Sequence, residues 1–508
     1  MTTITEKTIR LHPNDNVVIA IRDLTEGEVI TGVEAPLRQA VQRGHKVAST
    51  TIASGGDVYR YGQIIGQATA DIAPGEHVHL HNLGMSARRQ DHSIASHNAP
   101  LPLIDDPRNF MGYHRADGKI GTRNYIGILT TVNCSGSVAN FTAAAAEKTG
   151  LLDEFPNVDG ILPIVHSTGC GMSAQGEGYA TLMRTLWGYA QNPNFGGILL
   201  LGLGCEVMQA SALLAGRTVR ADGMLRHMTI QQAGGTHKAI ARGLEALRDL
   251  AAFANAEERR PAPLSELVLG LQCGGSDGYS GITANPALGH ASDLLVRHGG
   301  TSILSETSEI YGAEHMLTRR AESREVAEKL IERVRWWEDY TKRNGGEMDN
   351  NPSPGNKRGG LTTILEKSLG AIAKGGTAPL RNFYHFAEKI DSKGLVFMDS
   401  PGYDPCSVTG QIASGANLIA FTTGRGSVSG YKPVPCIKIA TNTEMYARMS
   451  EDMDANCGDI VSEGVSIEQK GQELFELMMR VASGKKTKSE ELGFGGVEFV
   501  PWQIGAVM

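Results

Sequence analysis

The sequence predicts a multidomain α/β protein, and three observations lead to this prediction. At 508 residues the chain is too long for a single hydrophobic core. Residues 1–96 carry short apolar runs separated by turn pairs such as Gly55-Gly56, a pattern typical of an all-β domain. After Gly121, strongly apolar runs alternate with helical stretches, which is typical of parallel sheets covered by helices.

The order of these segments predicts three domains. Residues 97–115 are proline-rich and predict an extended linker after the all-β domain. A middle α/β domain follows in residues 116–260, and a C-terminal α/β domain in residues 261–508. The apolar runs that predict their strands are residues 125–132, 160–165 and 197–203, then 267–271, 302–305, 394–398, 418–421 and 437–439. The clearest amphipathic helix spans residues 322–340.

Composition narrows the class of function. The formal net charge is −7 and no basic block is present, which argues against nucleic acid and anionic membranes as partners. No apolar stretch reaches the roughly 18 residues that a membrane helix needs, and the first eleven residues lack the apolar core of a signal peptide. We therefore expect a cytoplasmic protein that acts on a small molecule.

Four cysteines follow predicted strands at equivalent places, in loops that mostly contain glycine. They are Cys134, Cys170, Cys205 and Cys273. Ligands of α/β proteins bind at the carboxyl ends of strands, so the four thiols are candidate metal ligands at one site. Sulfur ligands would suit zinc, ferrous iron or an iron–sulfur cluster, and they favour ferrous iron or a cluster over calcium or magnesium. The alternative is that each cysteine is a small buried hydrophobe.

The loop after Cys273 is rich in glycine, and polar side chains follow it. Successive backbone N–H groups there can hold a carboxylate, so Ser276 and Asn285 are candidate substrate ligands and Asp277 is a candidate metal ligand. Glu306 and the nearby Glu309 follow another apolar run and are candidate ligands of a hard metal. Helix capping is the alternative role for these carboxylates.

Two basic side chains lie in segments suited to an anionic substrate. Lys357 ends the rigid turn Asn351-Pro-Ser-Pro-Gly-Asn-Lys357, and Arg425 stands between two glycines after a predicted strand. Arginine can bind a carboxylate with two parallel hydrogen bonds. The glycines around Arg425 do not form a dinucleotide-binding fingerprint.

Five histidines are of interest among the fifteen in the chain. His77, His79 and His81 alternate, so a strand would place them on one face, where they could bind metal or simply meet solvent. His45 lies in Gly44-His45-Lys46, and His166 precedes the Cys170 loop. We take His166 as the candidate general base, with His45 and Lys357 as further catalytic candidates.

Taken together, these segments resemble the altronate/galactarate dehydratase family from about residue 10 to residue 460. The matching stretches are Arg43-Gly-His-Lys46, Arg60-Tyr-Gly62, Gly75-Glu-His-Val-His79, Arg115-Ala-Asp-Gly118, Gly121-Thr-Arg-Asn124, Gly202-Leu-Gly-Cys-Glu206, Cys273-Gly-Gly-Ser-Asp277, Thr283-Ala-Asn-Pro286, Asn351-Pro-Ser-Pro-Gly-Asn-Lys357 and Thr422-Thr-Gly-Arg-Gly426.

The resemblance implies an N-terminal SAF-type β-clip, a middle dimerising domain and a C-terminal Rossmann-like parallel sheet variant, in a homodimer. It also implies dehydration of a sugar acid with a divalent metal, iron being the usual one. Manganese and an iron–sulfur cluster are the alternatives. D-altronate is the first expected substrate and galactarate the second. Sulfite elimination from sulfolactate and non-enzymatic binding of a sugar acid are the competing functions.

Overall fold

Two small antiparallel sheets form the N-terminal part of the chain. The structure is a computed structural model and describes residues 3–86 and 93–505. One sheet has the strand order β1-β2-β3-β4-β7 and the other has the order β5-β6-β8. The strands are β1 Thr3–Ile4, β2 Thr8–Arg10, β3 Val17–Ala20, β4 Lys46–Ala48, β5 Asp57–Arg60, β6 Gln63–Ala68, β7 His77–Val78 and β8 Leu83–Gly84. Residues 3–86 contain no helix, as the turn-rich pattern predicts.

The middle part is built around a four-stranded parallel sheet with the order β12-β11-β13-β14. Strand β15 pairs antiparallel with β9, so the predicted linker and the end of the middle part meet in one small sheet. The strands are β9 Asn109–His114, β10 Ile120–Gly121, β11 Tyr125–Thr130, β12 Gly160–Ile164, β13 Phe195–Gly202, β14 Leu225–Thr229 and β15 Arg259–Pro263. The helices are α1 Gly136–Lys148, α2 Glu177–Ala190, α3 Ala210–Leu214, α4 Ile230–Ala233 and α5 Thr236–Asn255.

A seven-stranded parallel sheet with the order β18-β19-β17-β16-β20-β21-β22 forms the C-terminal part. Its strands are β16 Val268–Cys273, β17 Thr301–Leu304, β18 Leu380–Tyr384, β19 Gly394–Met398, β20 Leu418–Thr423, β21 Cys436–Ala440 and β22 Ala455–Asn456. The helices are α6 Ala284–Arg297, α7 His315–Thr318, α8 Arg324–Arg343, α9 Pro354–Arg358, α10 Ile364–Ile372, α11 Asp404–Ser414, α12 Thr443–Arg448, α13 Asp459–Ser462, α14 Ile467–Ala482 and α15 Lys488–Glu491. Within the described part of the chain, no helix is long and apolar enough to span a bilayer.

The strand order of the large sheet reverses next to β16. Strand β17 follows β16 in sequence and pairs with it on one side, whereas β20 pairs with it on the other side. Because all seven strands are parallel, their carboxyl ends lie at one edge, and the reversal leaves a crevice between the loops that follow β16 and β20. The large parallel sheet predicted from the apolar runs is therefore present. The carboxyl edge of this sheet is where a ligand-binding site is expected.

A buried group of charges joins the N-terminal sheets to the C-terminal part. Glu366 on α10 accepts hydrogen bonds from the Lys46 ammonium at 2.9 and 3.0 Å and from the Arg60 guanidinium, and all three side chains are inaccessible to solvent. The Thr362 hydroxyl and backbone N–H also donate to Glu366. Burial alone would raise the pKa of Glu366, but the two cations lower it to about 2.

We predict that Glu366→Gln destabilises the protein by about 3–5 kcal/mol, because it leaves two buried cations without their counter-charge. The free energy of unfolding from urea denaturation measures this change. Glu328→Gln is the control, since Glu328 pairs with Arg324 on the exposed face of α8, and its loss should change the same quantity by less than about 0.5 kcal/mol. Equal stability of the two variants would contradict the role of Glu366.

Candidate active site at the carboxyl edge of the large sheet

Three loops at the carboxyl edge of the large sheet enclose a cavity of about 300 Å³. Cys273 is the last residue of β16, and Glu309 lies in the loop after β17. Asp404 begins α11, shortly after β19. The remaining lining residues come from segments that close over this edge, and they include Asn351, Ser353, Asn356, Lys367 and Tyr403.

Cys273, Glu306 and Glu309 form a compact buried group, with one potential ligand atom of each within 4.8 Å of the others. Two buried lysines contact this group. The Lys374 ammonium lies 2.8 Å from the Cys273 sulfur and 3.5 Å from a Glu306 oxygen. The Lys367 ammonium donates to Glu309 at 2.6 Å. The carboxylate charges of the group therefore already have cationic partners.

The two carboxyl groups have opposite protonation tendencies. Burial and the neighbouring Glu309 raise the pKa of Glu306 well above its usual value. Burial also acts on Glu309, but Lys367 and Lys374 outweigh it and lower the pKa of this carboxyl group. Burial raises the pKa of the Cys273 thiol to about 12. The two carboxyl groups therefore differ in how readily they lose a proton, Glu309 more readily than usual and Glu306 less readily.

Glu306 occupies a strained backbone position, since its φ of +71° lies in the left-handed region that side chains other than glycine rarely adopt. Its backbone N–H donates to the Ser400 hydroxyl at 3.0 Å, and its carboxyl group accepts from Gln272 at 2.7 Å. Such conformations cost roughly 1–3 kcal/mol and cluster at functional sites. The surrounding contacts thus hold Glu306 in a position that packing alone does not favour.

Asp404 is the titratable group of the cavity whose pKa lies nearest neutrality. Burial and the neighbouring Glu309 raise the pKa of Asp404 to about 6. One carboxylate oxygen accepts a hydrogen bond from Gln272 at 3.0 Å, which orients the group. A carboxylate with this pKa, at the wall of a polar cavity, has the properties of a general base.

A second cavity of about 240 Å³ lies on the other side of the glycine loop, and four arginines line it. Gly275 belongs to the wall of the first cavity, and a methyl group at its α-carbon would lie 3.4 Å from Cβ of Arg425. The arginines of the second cavity are Arg43, Arg358, Arg425 and Arg448. Arg43 pairs with Glu444, whereas no ion pair involves the other three among the described residues. Three acidic side chains, Asp23, Asp277 and Glu444, also line this cavity. Arg358, Arg425 and Arg448 are therefore the groups there that could bind an anion.

The structure does not place Asp277 in the Cys273 group. Its carboxylate is buried and accepts hydrogen bonds from Thr441, Asn442 and Ser280 at 3.0 Å each. Burial raises its pKa. Asp277 thus joins the loops after β16 and β21, and the prediction that it binds metal is not supported by its position.

Asn285 and Ser276, the two predicted substrate ligands near this loop, differ in whether their polar side-chain atoms already have hydrogen-bond partners. The Asn285 side chain donates to the Gly370 carbonyl at 2.9 Å and accepts from Thr422 at 2.6 Å. Both of its polar atoms already have partners inside the protein, so this position does not favour the predicted contact with substrate. Ser276 is buried, its carbonyl accepts from Asn356, and its hydroxyl has no partner among the described residues.

The histidines of the N-terminal sheet gather against the segment that carries Lys357. The rings of His45, His77 and His79 lie with their centroids 5.1–5.3 Å apart. His79 contacts the Lys357 carbonyl at 2.9 Å, and His45 contacts the Arg358 carbonyl at 3.3 Å. His81 lies beside His77, at 5.6 Å between centroids. Neither His45 nor Lys357 is among the residues that line the two cavities.

His166 does not have the position of a general base. It is buried in the middle part, where its Nε2 lies 3.0 Å from the Thr130 carbonyl and its Nδ1 accepts from the Thr168 backbone at 3.3 Å. Burial lowers its pKa to about 4. Both ring nitrogens make backbone contacts, so this position does not favour the predicted catalytic role of His166.

The four predicted thiols do not meet at one site. Cys134, Cys170 and Cys205 are exposed and follow β11, β12 and β13 of the middle sheet, whereas Cys273 is buried in the large sheet. Two separate sheets therefore carry them, although each cysteine does follow the carboxyl end of a parallel strand as predicted.

A divalent metal, which the family resemblance implies, fits poorly among Cys273, Glu306 and Glu309. Metal ligands of this kind lie about 2.0–2.3 Å from the ion and must be deprotonated. The Lys374 and Lys367 ammonium groups lie against the same donor atoms, at 2.8 and 2.6 Å. The lysines thus provide the positive charge that a metal would provide, and we derive no step through an ion there.

Two residues of the first cavity, Asp404 and Lys367, and the neighbouring Lys374 escaped the sequence interpretation. Asp404 follows a correctly predicted strand, and its place in Gly402-Tyr-Asp-Pro405 was a usable signal. Lys367 and Lys374 lie on and just after an apolar helix, and nothing in their local sequence marks them. Only the packing of α10 against the sheet edge identifies them.

Three family models match consecutive parts of the chain. The altronate/galactarate dehydratase SAF domain matches residues 6–86. The second domain of D-galactarate dehydratase/altronate hydrolase matches residues 112–255. The C-terminal domain of D-galactarate/altronate dehydratase matches residues 264–507.

Characterised relatives cover nearly the whole chain. Altronate dehydratase of Bacillus subtilis is 35% identical over 96% of this chain and 97% of its own length. Galactarate dehydratase (L-threo-forming) of Escherichia coli is 37% identical over 96% and 94%. The β subunit of (2R)-sulfolactate sulfo-lyase of Chromohalobacter salexigens is 32% identical over 76% and 95%. The order of the three domains and these identities show that the chain belongs to the altronate/galactarate dehydratase family of hydro-lyases.

Proposed function

We propose that the chain removes water from a sugar acid to give a 2-keto-3-deoxy acid, with D-altronate as the first candidate substrate and galactarate as the second. The observation that supports this reaction is the polar cavity beside Cys273, where a base of near-neutral pKa faces a buried ammonium group. The family indicates the class of reaction, and the residues that line the cavity are the groups that we propose carry it out.

The reaction needs a base because the proton at C2 lies next to an already anionic carboxylate. We assign this base to Asp404, whose pKa of about 6 leaves it ionised at neutral pH but still basic enough to accept the proton. The electron pair of the C2–H bond moves toward C1 and gives an enediolate with a second negative charge on the carboxylate oxygens.

The enediolate needs positive charge in a place shielded from water. Lys367 lines the cavity, and its ammonium is held by Glu309 at 2.6 Å and Asn351 at 2.9 Å. We assign Lys367 and Asn351 to the C1 carboxylate, because a preorganised cation that is shielded from water stabilises developing charge strongly.

Loss of the hydroxyl completes the reaction. The C2–C3 double bond forms as the C3–O bond breaks, and the departing hydroxide takes the proton held by Asp404 to leave as water. One carboxyl group thereby removes the first proton and returns it to the leaving group. The enol then becomes the 2-keto product by taking up a proton at C3.

The arginine-lined second cavity favours galactarate as the alternative substrate. Galactarate carries a second carboxylate at C6, whereas altronate ends in a neutral hydroxymethyl group. Arg425 lines the second cavity and borders Gly275, which belongs to the wall of the first. A six-carbon diacid bound at Lys367 would extend toward Arg425, where a guanidinium can bind its far carboxylate with paired hydrogen bonds.

A sugar-acid sensor without catalytic activity is the competing function. Incubation of the protein with D-altronate or galactarate, under anaerobic conditions with ferrous iron, distinguishes the two by the appearance of a keto acid. Binding of either acid without any keto acid would support the sensor and contradict the dehydratase.

We predict that Asp404→Asn lowers kcat by about 10²- to 10⁴-fold, the usual range for loss of a general base. In the unmodified protein, kcat/KM should fall as the pH drops below about 6, because protonated Asp404 cannot accept the C2 proton. This acidic limb should be absent from the residual activity of the variant. Initial rates of keto-acid formation across pH measure both effects.

The matched control for this experiment is Asp249→Asn, which changes an exposed aspartate on α5. Its rate and pH profile should equal those of the unmodified protein. An Asp404→Asn enzyme with an unchanged acidic limb would show that another group is the base.

We predict that Arg425→Gln raises KM for galactarate about tenfold or more while changing kcat little, since a lost charge-assisted contact costs roughly 1.5–3 kcal/mol. The KM for D-altronate should stay within about twofold, because that acid has no second carboxylate. Arg335→Gln, on the exposed face of α8, is the control. Equal effects of Arg425→Gln on the two acids would contradict the assignment.

A further inference from the structure

We propose that Cys134, Cys170 and Cys205 together hold an iron–sulfur cluster at the carboxyl edge of the middle sheet. This site is distinct from the cavity beside Cys273, and the inference does not depend on the reaction assigned to that cavity. Three kinds of observation support it: the strand topology, the contacts between the three loops and the exposure of the thiols.

The topology brings the three cysteines to one edge. Strand β11 pairs in parallel with β12 on one side and with β13 on the other. Cys134, Cys170 and Cys205 each lie in the loop that directly follows one of these three adjacent strands. Because parallel strands end at the same edge, three neighbouring loops carry one cysteine each.

Direct contacts fasten each loop to both of the others. The Asn133 backbone N–H donates to the Thr168 carbonyl at 3.0 Å, which joins the first loop to the second. The Met208 N–H donates to the Gly169 carbonyl at 3.0 Å, which joins the third to the second.

The remaining pair of loops is joined by side chains. The Thr131 hydroxyl donates to Glu206 at 2.7 Å, next to Cys205. Each of the three contacts involves residues within three positions of the cysteines concerned. The loops therefore form a closed triangle that restricts where the thiols can lie.

Gly169 makes the tightest of these approaches possible. Its φ is +102°, and a methyl group at its α-carbon would lie 2.2 Å from the Thr131 carbonyl oxygen. Any side chain at this position would push the Cys170 loop away from the end of β11. The glycine thus keeps Cys170 close to the loop of Cys134.

Exposure separates these three cysteines from the other four. Cys134, Cys170 and Cys205 are exposed, whereas Cys273, Cys406, Cys436 and Cys457 are buried. Free cysteine is usually among the most buried residue types, and exposed thiols are open to oxidation. Three exposed thiols on adjoining loops are therefore costly unless they bind something that uses them.

The chemistry of the donors is also compatible with iron and sulfide. Thiolates are soft ligands that favour zinc, copper or iron–sulfur clusters. A four-iron cluster normally takes four cysteines, so three leave one iron without a thiolate from this chain. That iron would be open to an oxygen ligand from water or from a small hydroxy acid.

The test is anaerobic reconstitution of the full chain with ferrous iron, sulfide and dithiothreitol, followed by removal of unbound ions. Protein-bound iron and acid-labile sulfide are then measured, together with visible absorbance and electron paramagnetic resonance after reduction. We expect about four irons and four sulfides per chain, as for a [4Fe–4S] cluster. Cys134→Ser, Cys170→Ser and Cys205→Ser should each lose most of both.

Two further variants make the result specific. Cys457→Ser replaces a buried cysteine outside the triangle, and Cys273→Ser replaces the thiol of the first cavity, and both should keep the iron and sulfide content of the unmodified protein. Because the three exposed thiols make few packing contacts, circular dichroism and melting of their variants should match the parent.

Three outcomes would overturn the proposal. They are an unmodified protein that binds no iron, one that binds iron without sulfide, and serine variants of the three exposed cysteines that keep full iron and sulfide. Keto-acid formation is not part of this readout, so a failed cluster and a failed dehydratase assignment are distinguishable.

Discussion

Parallel pairing is the constraint on which the rest of this structure depends. When neighbouring strands run in the same direction, every loop that leaves a carboxyl end arrives at the same edge. The large sheet uses this edge to bring Cys273, Glu309 and Asp404 around one cavity. The middle sheet uses its own edge to gather Cys134, Cys170 and Cys205.

Charge balance determines what the first edge can do. Two glutamates and a thiol are buried there, and such a group is stable only if counter-charges accompany it. Lys367 and Lys374 provide these charges and come from the segment around α10. Among the residues that the structure describes, no cation forms an ion pair with Asp404, and burial and Glu309 raise its pKa. One electrostatic network thus both stabilises the edge and leaves one carboxylate poised for proton transfer.

Two further groups of polar contacts join other parts of the chain to these edges. Glu366 receives Lys46 and Arg60 from the N-terminal sheets, one residue away from the cavity lysine Lys367. Arg333 on α8 contacts Asp399 at 2.6 Å and Glu177 at 3.2 Å, which joins the end of β19 to the start of α2. Glu177 begins the helix that follows the Cys170 loop. The contacts of Arg333 therefore link the carboxyl edge of the middle sheet to that of the large sheet.

The strands, the loops that follow them and the family could be predicted from the sequence, because apolar runs and turn residues act over a few neighbouring positions. Cys273, Glu306 and Arg425 were found in this way, each just after a predicted strand. Only the tertiary structure decided which loops meet. It separated Cys273 from the other three thiols, committed Asn285 and His166 to internal hydrogen bonds, and placed Lys367 and Lys374 against the glutamates. Those outcomes depend on long-range packing and on burial, which set the distance and the pKa of each group and leave no local mark in the chain.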